Sequence, residues 1–234
     1  GLIGCEFAND LAASGHSVTV VEPMGRPLPT LLPERASKAV EAGLQGLGVS
    51  FLYGANATAA DHAGNGIRVS LADGRHAEAD IVLSAIGLRP RLGLAEVAGL
   101  NVARGICVDR YLRTSNANIY AIGDCAEVDG KVLMYVLPLM ASARALAKTL
   151  AGEDTVVSYP AMPVQIKTPI CPIVVSPVAP NTEGAWAVEA DGNNVKASFL
   201  AKDGQLLGFA LTGSFASDMK TKMEMARALP PILA

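Results

Sequence analysis

The first 53 residues alternate between helical and strand patterns, and this alternation restricts the possible folds more than any other feature. Residues 3–14 carry apolar side chains at helical spacing, and residues 17–21 form a short β-branched run. Residues 33–47 then show a second helical pattern and residues 49–53 a second strand. Because strands separated by helices pair in parallel, the pattern predicts an α/β fold with a parallel sheet covered on both faces.

The pattern changes after residue 55. Three short strands are predicted, separated by Gly-Asn-Gly and Asp-Gly turns that are typical of hairpins, at residues 57–60, 67–71 and 76–79. They predict a small antiparallel meander inserted into the parallel domain. The apolar run at residues 81–84 predicts a return to a buried strand.

The remainder divides at about residue 158. Strands are predicted at residues 106–108 and 119–122, followed by a helix over about 138–151. Beyond Tyr159-Pro160, three strands joined by Asp-Gly turns are predicted at residues 186–190, 195–201 and 206–212, with two amphipathic segments after them. This last part is expected to be an α+β domain built on an antiparallel sheet.

Composition excludes several functional classes. The chain has 234 residues and a net charge of −3, which argues against a nucleic-acid-binding protein. The best apolar run, residues 132–147, contains Pro138 and Arg144, so no membrane helix is expected. Four cysteines without a C-x-x-C pair indicate reduced thiols in a cytoplasmic protein, with neither a metal site nor a redox disulfide.

Two glycines at the start of the chain are followed, at the end of the next predicted strand, by an acidic residue. Gly1-x-x-Gly4 matches the last two glycines of G-x-G-x-x-G, whose backbone approaches a dinucleotide pyrophosphate at a helix N-terminus. Glu22 ends the next predicted strand, where a carboxylate accepts hydrogen bonds from the adenosine ribose and disfavours a 2′-phosphate. The motif predicts binding of NADH rather than NADPH. The alternative is a helix-capping glycine pair in an unrelated α/β domain. Because the strand that normally precedes this motif is absent, we expect a truncated N-terminus.

A second candidate is Asp124, which follows the predicted strand 119–122 within the sequence Gly-Asp. A carboxylate at the end of a parallel strand lies where ligands bind. The alternative is an aspartate that caps a helix N-terminus.

Taken together, four motifs resemble the flavoproteins that have two dinucleotide-binding domains, a family of ferredoxin, rubredoxin, nitrite and disulfide reductases. They are GLIGCEFA at residues 1–8, VVE at 20–22, SAIGLRP at 84–90 and NIYAIGDC at 118–125. Within the family, YVLPLM at 135–140 and IKTP at 166–169 are most similar to the rubredoxin reductase subfamily.

The resemblance implies a fold with three parts: a Rossmann-like NAD-binding domain with its inserted meander (1–87), the C-terminal part of an FAD-binding domain (88–157) and a C-terminal α+β domain (158–234). It also implies that an N-terminal FAD-binding unit of roughly 150 residues is missing. The chain alone is therefore expected to be inactive and to hold no stoichiometric FAD.

For the flavin, the resemblance implies that Asp124 bonds the ribityl chain and that Val136 lies beside the pyrimidine ring. The helix beginning near Pro138 would direct its free N–H groups at the flavin. Lys167 is similar in position to a lysine that contacts the flavin, although a solvated edge-strand lysine is an equal alternative.

For the nicotinamide, the resemblance implies that Glu6 is catalytic, lying between nicotinamide and flavin and paired with a lysine outside this chain. An ordinary polar helix residue is the alternative. Gly87 would let the nicotinamide ring lie flat.

The activity implied is hydride transfer from NADH to FAD, followed by electron transfer to rubredoxin or a similar small iron–sulfur protein. A ferredoxin reductase or NADH oxidase of the same family is one alternative. A non-catalytic flavoprotein that senses NAD(H) is another.

Overall fold

The computed structural model describes residues 1–234, which form two compact units. Residues 1–87 and 163–230 make the first unit, and residues 88–162 and 231–234 make the second. No helix is both long and apolar enough to cross a bilayer.

The first unit begins with the predicted alternation. Its elements before residue 88 are α1 (Leu2–Ala13), β1 (Thr19–Glu22), α2 (Glu34–Gly46), β2 (Ser50–Tyr53), β3 (Ala57–Ala63), β4 (Gly66–Leu71) and β5 (His76–Ala79). Strands β1 and β2 pair in parallel, and β3, β4 and β5 form the predicted antiparallel meander. Helix α1 ends at Ala13 with Ser14 as its C-cap residue, and Gly15 follows with a positive φ of 89°, which glycine adopts without steric cost.

The second part of the first unit is a five-stranded antiparallel sheet with two helices. Its elements are β8 (Val164–Ile166), β9 (Ile173–Ser176), β10 (Ala185–Asp191), β11 (Asn194–Leu200), β12 (Leu206–Thr212), α5 (Ser214–Ser217) and α6 (Met219–Ala228). The strand order is β10-β11-β12-β9-β8. The predicted α+β character is confirmed, although the sequence did not predict β8 and β9.

Both faces of this sheet are covered, because successive side chains of a strand point to opposite faces. Val175 and Ala210 join the core that includes buried residues of α1 and α2. Val174 and Phe209 point the other way and pack with Met225 of α6.

The second unit contains the remaining elements. They are α3 (Gly93–Val97), β6 (Ile106–Val108), a 3-10 turn (Gly123–Cys125), β7 (Ala126–Val128) and α4 (Val136–Leu150). Strands β6 and β7 pair in parallel, and Tyr159 forms an isolated bridge with Leu233. The helix predicted over 138–151 is confirmed as α4.

Two predicted strands are wrong. Residues 81–84 form no strand, and Ile81 and Leu83 are 83% and 52% exposed. A strand needs a neighbouring strand to pair with, and no segment of this chain pairs with residues 81–84. At residues 119–122 only an isolated bridge forms, between Tyr120 and Arg113.

Candidate nucleotide-binding site

The N-terminus of α1 offers unpaired backbone donors. Gly1 precedes the helix, no side chain caps it, and the first intrahelical bond runs from the Cys5 N–H to the Gly1 carbonyl at 3.0 Å. The N–H groups of the first turn are therefore free, and no acidic residue lies among them. Such a helix end suits a phosphate group.

Glu22 lies beside this helix end, as the sequence predicts. It is the last residue of β1 and is buried, with 8% exposed. Its Oε1 accepts the Met24 N–H at 3.0 Å, and its Oε2 lies 3.4 Å from the terminal ammonium group of Gly1. The residues of the first motif therefore lie close together, and Met24 engages only one of the two carboxylate oxygens of Glu22.

The motif at residues 84–90 also approaches α1. A Cβ built on Gly4 would lie 3.5 Å from the Ala85 Cβ, an ordinary van der Waals separation. Gly87 has φ +100°, a conformation that L side chains rarely adopt, and nothing lies within 4 Å of a Cβ built there. The chain is thus free of obstruction at Gly87.

Glu6 and Lys167 are brought together, although in a way that the sequence did not predict. Glu6 Oε1 accepts the backbone N–H of Lys167 at 2.7 Å, and the Lys167 side chain is exposed. One turn further along α1, Asn9 Oδ1 accepts the Ile170 N–H at 3.2 Å. Two side chains on one face of α1 thus hold the turn between β8 and β9, residues 167–172, which we call the clasped turn.

Helix α2 approaches the same turn. A Cβ added at Gly43 would lie 3.0 Å from the Cys171 Cβ, so glycine permits close packing here. Inside the turn, the buried Thr168 hydroxyl donates to the Cys171 carbonyl at 2.7 Å. Sequence reasoning missed Asn9, whose signal was a polar residue four positions after Cys5 on the buried face of α1. A polar side chain in that position needs a partner.

Asp124 and Val136 lie in the second unit. Asp124 belongs to the 3-10 turn, is exposed and caps no helix, which removes the N-cap alternative. The turn packs on α4, because a Cβ at Gly123 would lie 3.2 Å from Leu139 Cδ1. Val136 is the first residue of α4 and 71% exposed, and no side chain caps this helix. An exposed carboxylate and an open helix N-terminus therefore belong to neighbouring elements.

The four cysteines are all free thiols. Cys5 and Cys171 are buried in one core. Burial raises the pKa of the Cys5 thiol from 9.0 to about 11 and also raises the pKa of Cys171. Both thiols are therefore protonated at neutral pH, and thiols in that state are poor nucleophiles.

The family model described as pyridine nucleotide-disulphide oxidoreductase matches residues 1–147. The chain belongs to this oxidoreductase family. A second model, the rubredoxin binding C-terminal domain, matches residues 156–229. The family resemblance that the sequence motifs indicated is therefore confirmed.

Individual proteins that are similar to this chain support the same family assignment. The chain is 62% identical to the rubredoxin-NAD(+) reductase of Alcanivorax borkumensis, over all of this chain and 60% of that protein. It is 44% identical to the rubredoxin-NAD(+) reductase of Acinetobacter baylyi, over all of this chain and 59% of that protein. The chain thus spans about three fifths of the length of these curated relatives.

Solved structures confirm the predicted fold class. A ferredoxin reductase from Rhodopseudomonas palustris superposes with a TM-score of 0.81 at 25% identity, covering 97% of this chain and 62% of that one. A putidaredoxin reductase in covalent complex with putidaredoxin gives a TM-score of 0.84 at 22% identity, covering 98% of this chain and 57% of that one.

Proposed function

We propose that this chain supplies the NADH-binding and acceptor-binding parts of an FAD-containing rubredoxin reductase. The observation that carries the proposal is the 62% identity to a rubredoxin-NAD(+) reductase along the whole chain. The match of residues 156–229 to a rubredoxin-binding domain supports the same acceptor. The protein that carries this chain would then transfer a hydride from NADH to FAD and electrons onward to rubredoxin.

The proposed binding of NADH rests on the geometry of α1 and β1. The free N–H groups after Gly1 would bind the pyrophosphate of NADH, and Gly4 would keep the helix close to Ala85. Glu22 Oε2 would accept the adenosine ribose hydroxyls. At the reacting end, Glu6 has one carboxylate oxygen committed to Lys167, so its Oε2 is the atom available to orient the nicotinamide.

The residues proposed for FAD suit the group chemically. When bound, FAD accepts a hydride and releases electrons singly. The exposed carboxylate of Asp124 would accept hydrogen bonds from the ribityl hydroxyls. The uncapped start of α4 at Val136 would place positive dipole density beside a flavin carbonyl oxygen. Roles for Gly87 beside the nicotinamide and for Lys167 beside the flavin are also part of the proposal.

The domain assignment follows the same reasoning. Residues 1–87 would bind NADH, residues 88–157 would belong to the FAD-binding domain and residues 158–234 would receive rubredoxin. A cytoplasmic location is proposed as well, because the four cysteines carry no disulfide.

The coenzyme part of the proposal is tested at Glu22, in the FAD-loaded protein that carries this chain. Glu22→Ala removes the acceptor of the ribose hydroxyls, and hydrogen bonds to a charged group contribute about 1.5–3 kcal/mol each. We expect kcat/KM for NADH to fall about 10- to 100-fold. With Glu22→Arg, the NADPH/NADH ratio of kcat/KM should rise, because a cation replaces a carboxylate that repels the 2′-phosphate.

Glu34→Ala is the matched control, because Glu34 is an exposed acid on α2 that pairs with Lys38. It should leave both coenzymes unaffected. An NADPH/NADH ratio that stays the same in Glu22→Arg would contradict the assignment of Glu22.

The acceptor part is tested separately by stopped-flow oxidation of the NADH-reduced protein. Rubredoxin, a [2Fe–2S] ferredoxin and dioxygen are compared at equal concentration, with rubredoxin expected to be reduced fastest. A ferredoxin reductase is the second candidate, favoured by the structural likeness to the Rhodopseudomonas palustris enzyme. Faster reduction of ferredoxin would support that candidate and reject rubredoxin as the acceptor.

A further inference from the structure

The loop that follows Glu22 is unusually constrained for a surface connection. Residues 23–33 join β1 to α2 and contain four prolines. Leu28 is 1% exposed although its φ is +54°, a left-handed conformation that is strained for leucine. Leu32 is 3% exposed. Such a conformation persists only when surrounding contacts hold the backbone in place.

The Arg26 side chain makes three hydrogen bonds that hold this loop. Its Nη1 donates to the Leu32 carbonyl at 3.0 Å and to Ser37 Oγ at 3.2 Å, and its Nη2 donates to the Pro29 carbonyl at 3.2 Å. Ser37 lies on α2, is fully buried, and donates in turn to the Pro27 carbonyl at 2.8 Å. The guanidinium therefore ties the loop to itself and to α2.

The beginning of the same loop fixes the side chain of Glu22, the residue that precedes it. Met24, two residues before Arg26, donates its N–H to Glu22 Oε1 at 3.0 Å. This bond holds Oε1 and leaves Oε2 as the carboxylate oxygen available to a ligand. Arg26 thus acts on the Glu22 carboxylate indirectly. It holds the backbone of the loop, and the Met24 N–H of that loop donates to the carboxylate.

We propose that Arg26 is a positioning residue for recognition of the adenosine ribose of NADH. It braces residues 23–33 so that the Met24 N–H fixes the Glu22 carboxylate. Because both terminal nitrogens of the guanidinium are engaged by Leu32, Pro29 and Ser37, Arg26 is not the receptor for a 2′-phosphate. This inference rests on the proposed NADH site and adds a specificity-determining residue to it.

The test is steady-state kinetics of the FAD-loaded protein that carries this chain, with ferricyanide as acceptor so that the result does not depend on rubredoxin. Arg26→Met removes every donor of the guanidinium, and Arg26→Lys keeps the charge but loses the fork that reaches several oxygens at once. We expect KM for NADH to rise about tenfold in Arg26→Met with kcat within about twofold, because the lost interaction acts on binding alone. Ser37→Ala, which leaves Arg26 in place, should raise KM by a smaller factor of about three.

Arg35→Met is the matched control, because Arg35 also donates to a backbone carbonyl, that of Gly192 at 2.5 Å, but lies outside this loop. Its KM for NADH should equal that of the wild type. A lower melting temperature with unchanged KM in Arg26→Met and Ser37→Ala would show that the brace is only structural and would overturn the proposal. A fall in the NADPH/NADH ratio of kcat/KM in Arg26→Met would also overturn it, because that is the signature of a phosphate receptor. Failure of the wild type to oxidise NADH would instead reject the proposed function.

Discussion

The clasped turn gives a prediction that can be measured on the chain itself. Asn9 is 2% exposed, and its Oδ1 accepts the Ile170 N–H across 161 positions of sequence. Asn9→Leu keeps a side chain of similar size but removes that acceptor. The Ile170 N–H then loses its partner, and of the two hydrogen bonds that join the clasped turn to α1, the one from the Lys167 N–H to Glu6 remains.

The size of the effect follows from burial. Leaving a buried donor unsatisfied costs about 1–3 kcal/mol. Ile170 is 43% exposed, so water can partly reach its N–H when the turn opens, and we expect the lower half of that range, about 1–2 kcal/mol. A change of that size multiplies the population of the opened turn by about 5–30.

Limited proteolysis measures that population directly. Trypsin cleaves after Lys167, and at low protease concentration the rate follows the equilibrium population of the opened segment. Cleavage between Lys167 and Thr168, followed by mass spectrometry, should be about 5- to 30-fold faster in Asn9→Leu. Asn116→Leu is the control, because Asn116 also accepts a backbone N–H, that of Asn118 at 3.0 Å, but is exposed and lies in the other unit.

Two results would refute this reasoning. If cleavage at Lys167 is unchanged in Asn9→Leu, the side chain does not hold the turn. If cleavage rises equally at distant sites such as Lys38 and Lys220, the substitution destabilises the whole unit and not the turn in particular.

Two further substitutions or measurements test the packing of the first unit. Gly208→Ala should lower the free energy of unfolding by about 1–3 kcal/mol, because the new Cβ would lie 2.8 Å from the Ser176 carbonyl oxygen and 2.5 Å from Val178 Cγ2; an unchanged midpoint in chemical denaturation would count against the sheet register at β12. The Cys5 thiol, with its pKa raised to about 11 by burial, should alkylate slowly at pH 8 and faster as pH approaches 11. Because an unfolded thiol ionises from about pH 9, the contribution of Cys5 to stability is fully present below that pH and is lost as pH rises toward 11; alkylation at pH 8 as fast as that of a free thiol would show that Cys5 is not buried.

The sequence by itself determined the local elements and the nucleotide motif. The spacing of apolar residues predicted α1, α2 and α4, and the Gly-Asn-Gly and Asp-Gly turns predicted the hairpins of the meander and of the C-terminal sheet. These succeed because helix periodicity and turn chemistry act over a few residues. The relation between Gly1 and Glu22 was also predictable, because one helix and one strand of fixed length separate the two residues.

Only the tertiary structure decided which segments found partners. Strand β8 has three residues and β9 four, too few to show a pattern, and they form because β12 offers β9 an edge. Residues 81–84 have the stronger strand pattern, but no segment of this chain pairs with them. The bond between Asn9 and Ile170 likewise joins residues 161 positions apart. Hydrogen-bond partners at such separations depend on where the whole chain places them, and local propensity carries no information about that placement.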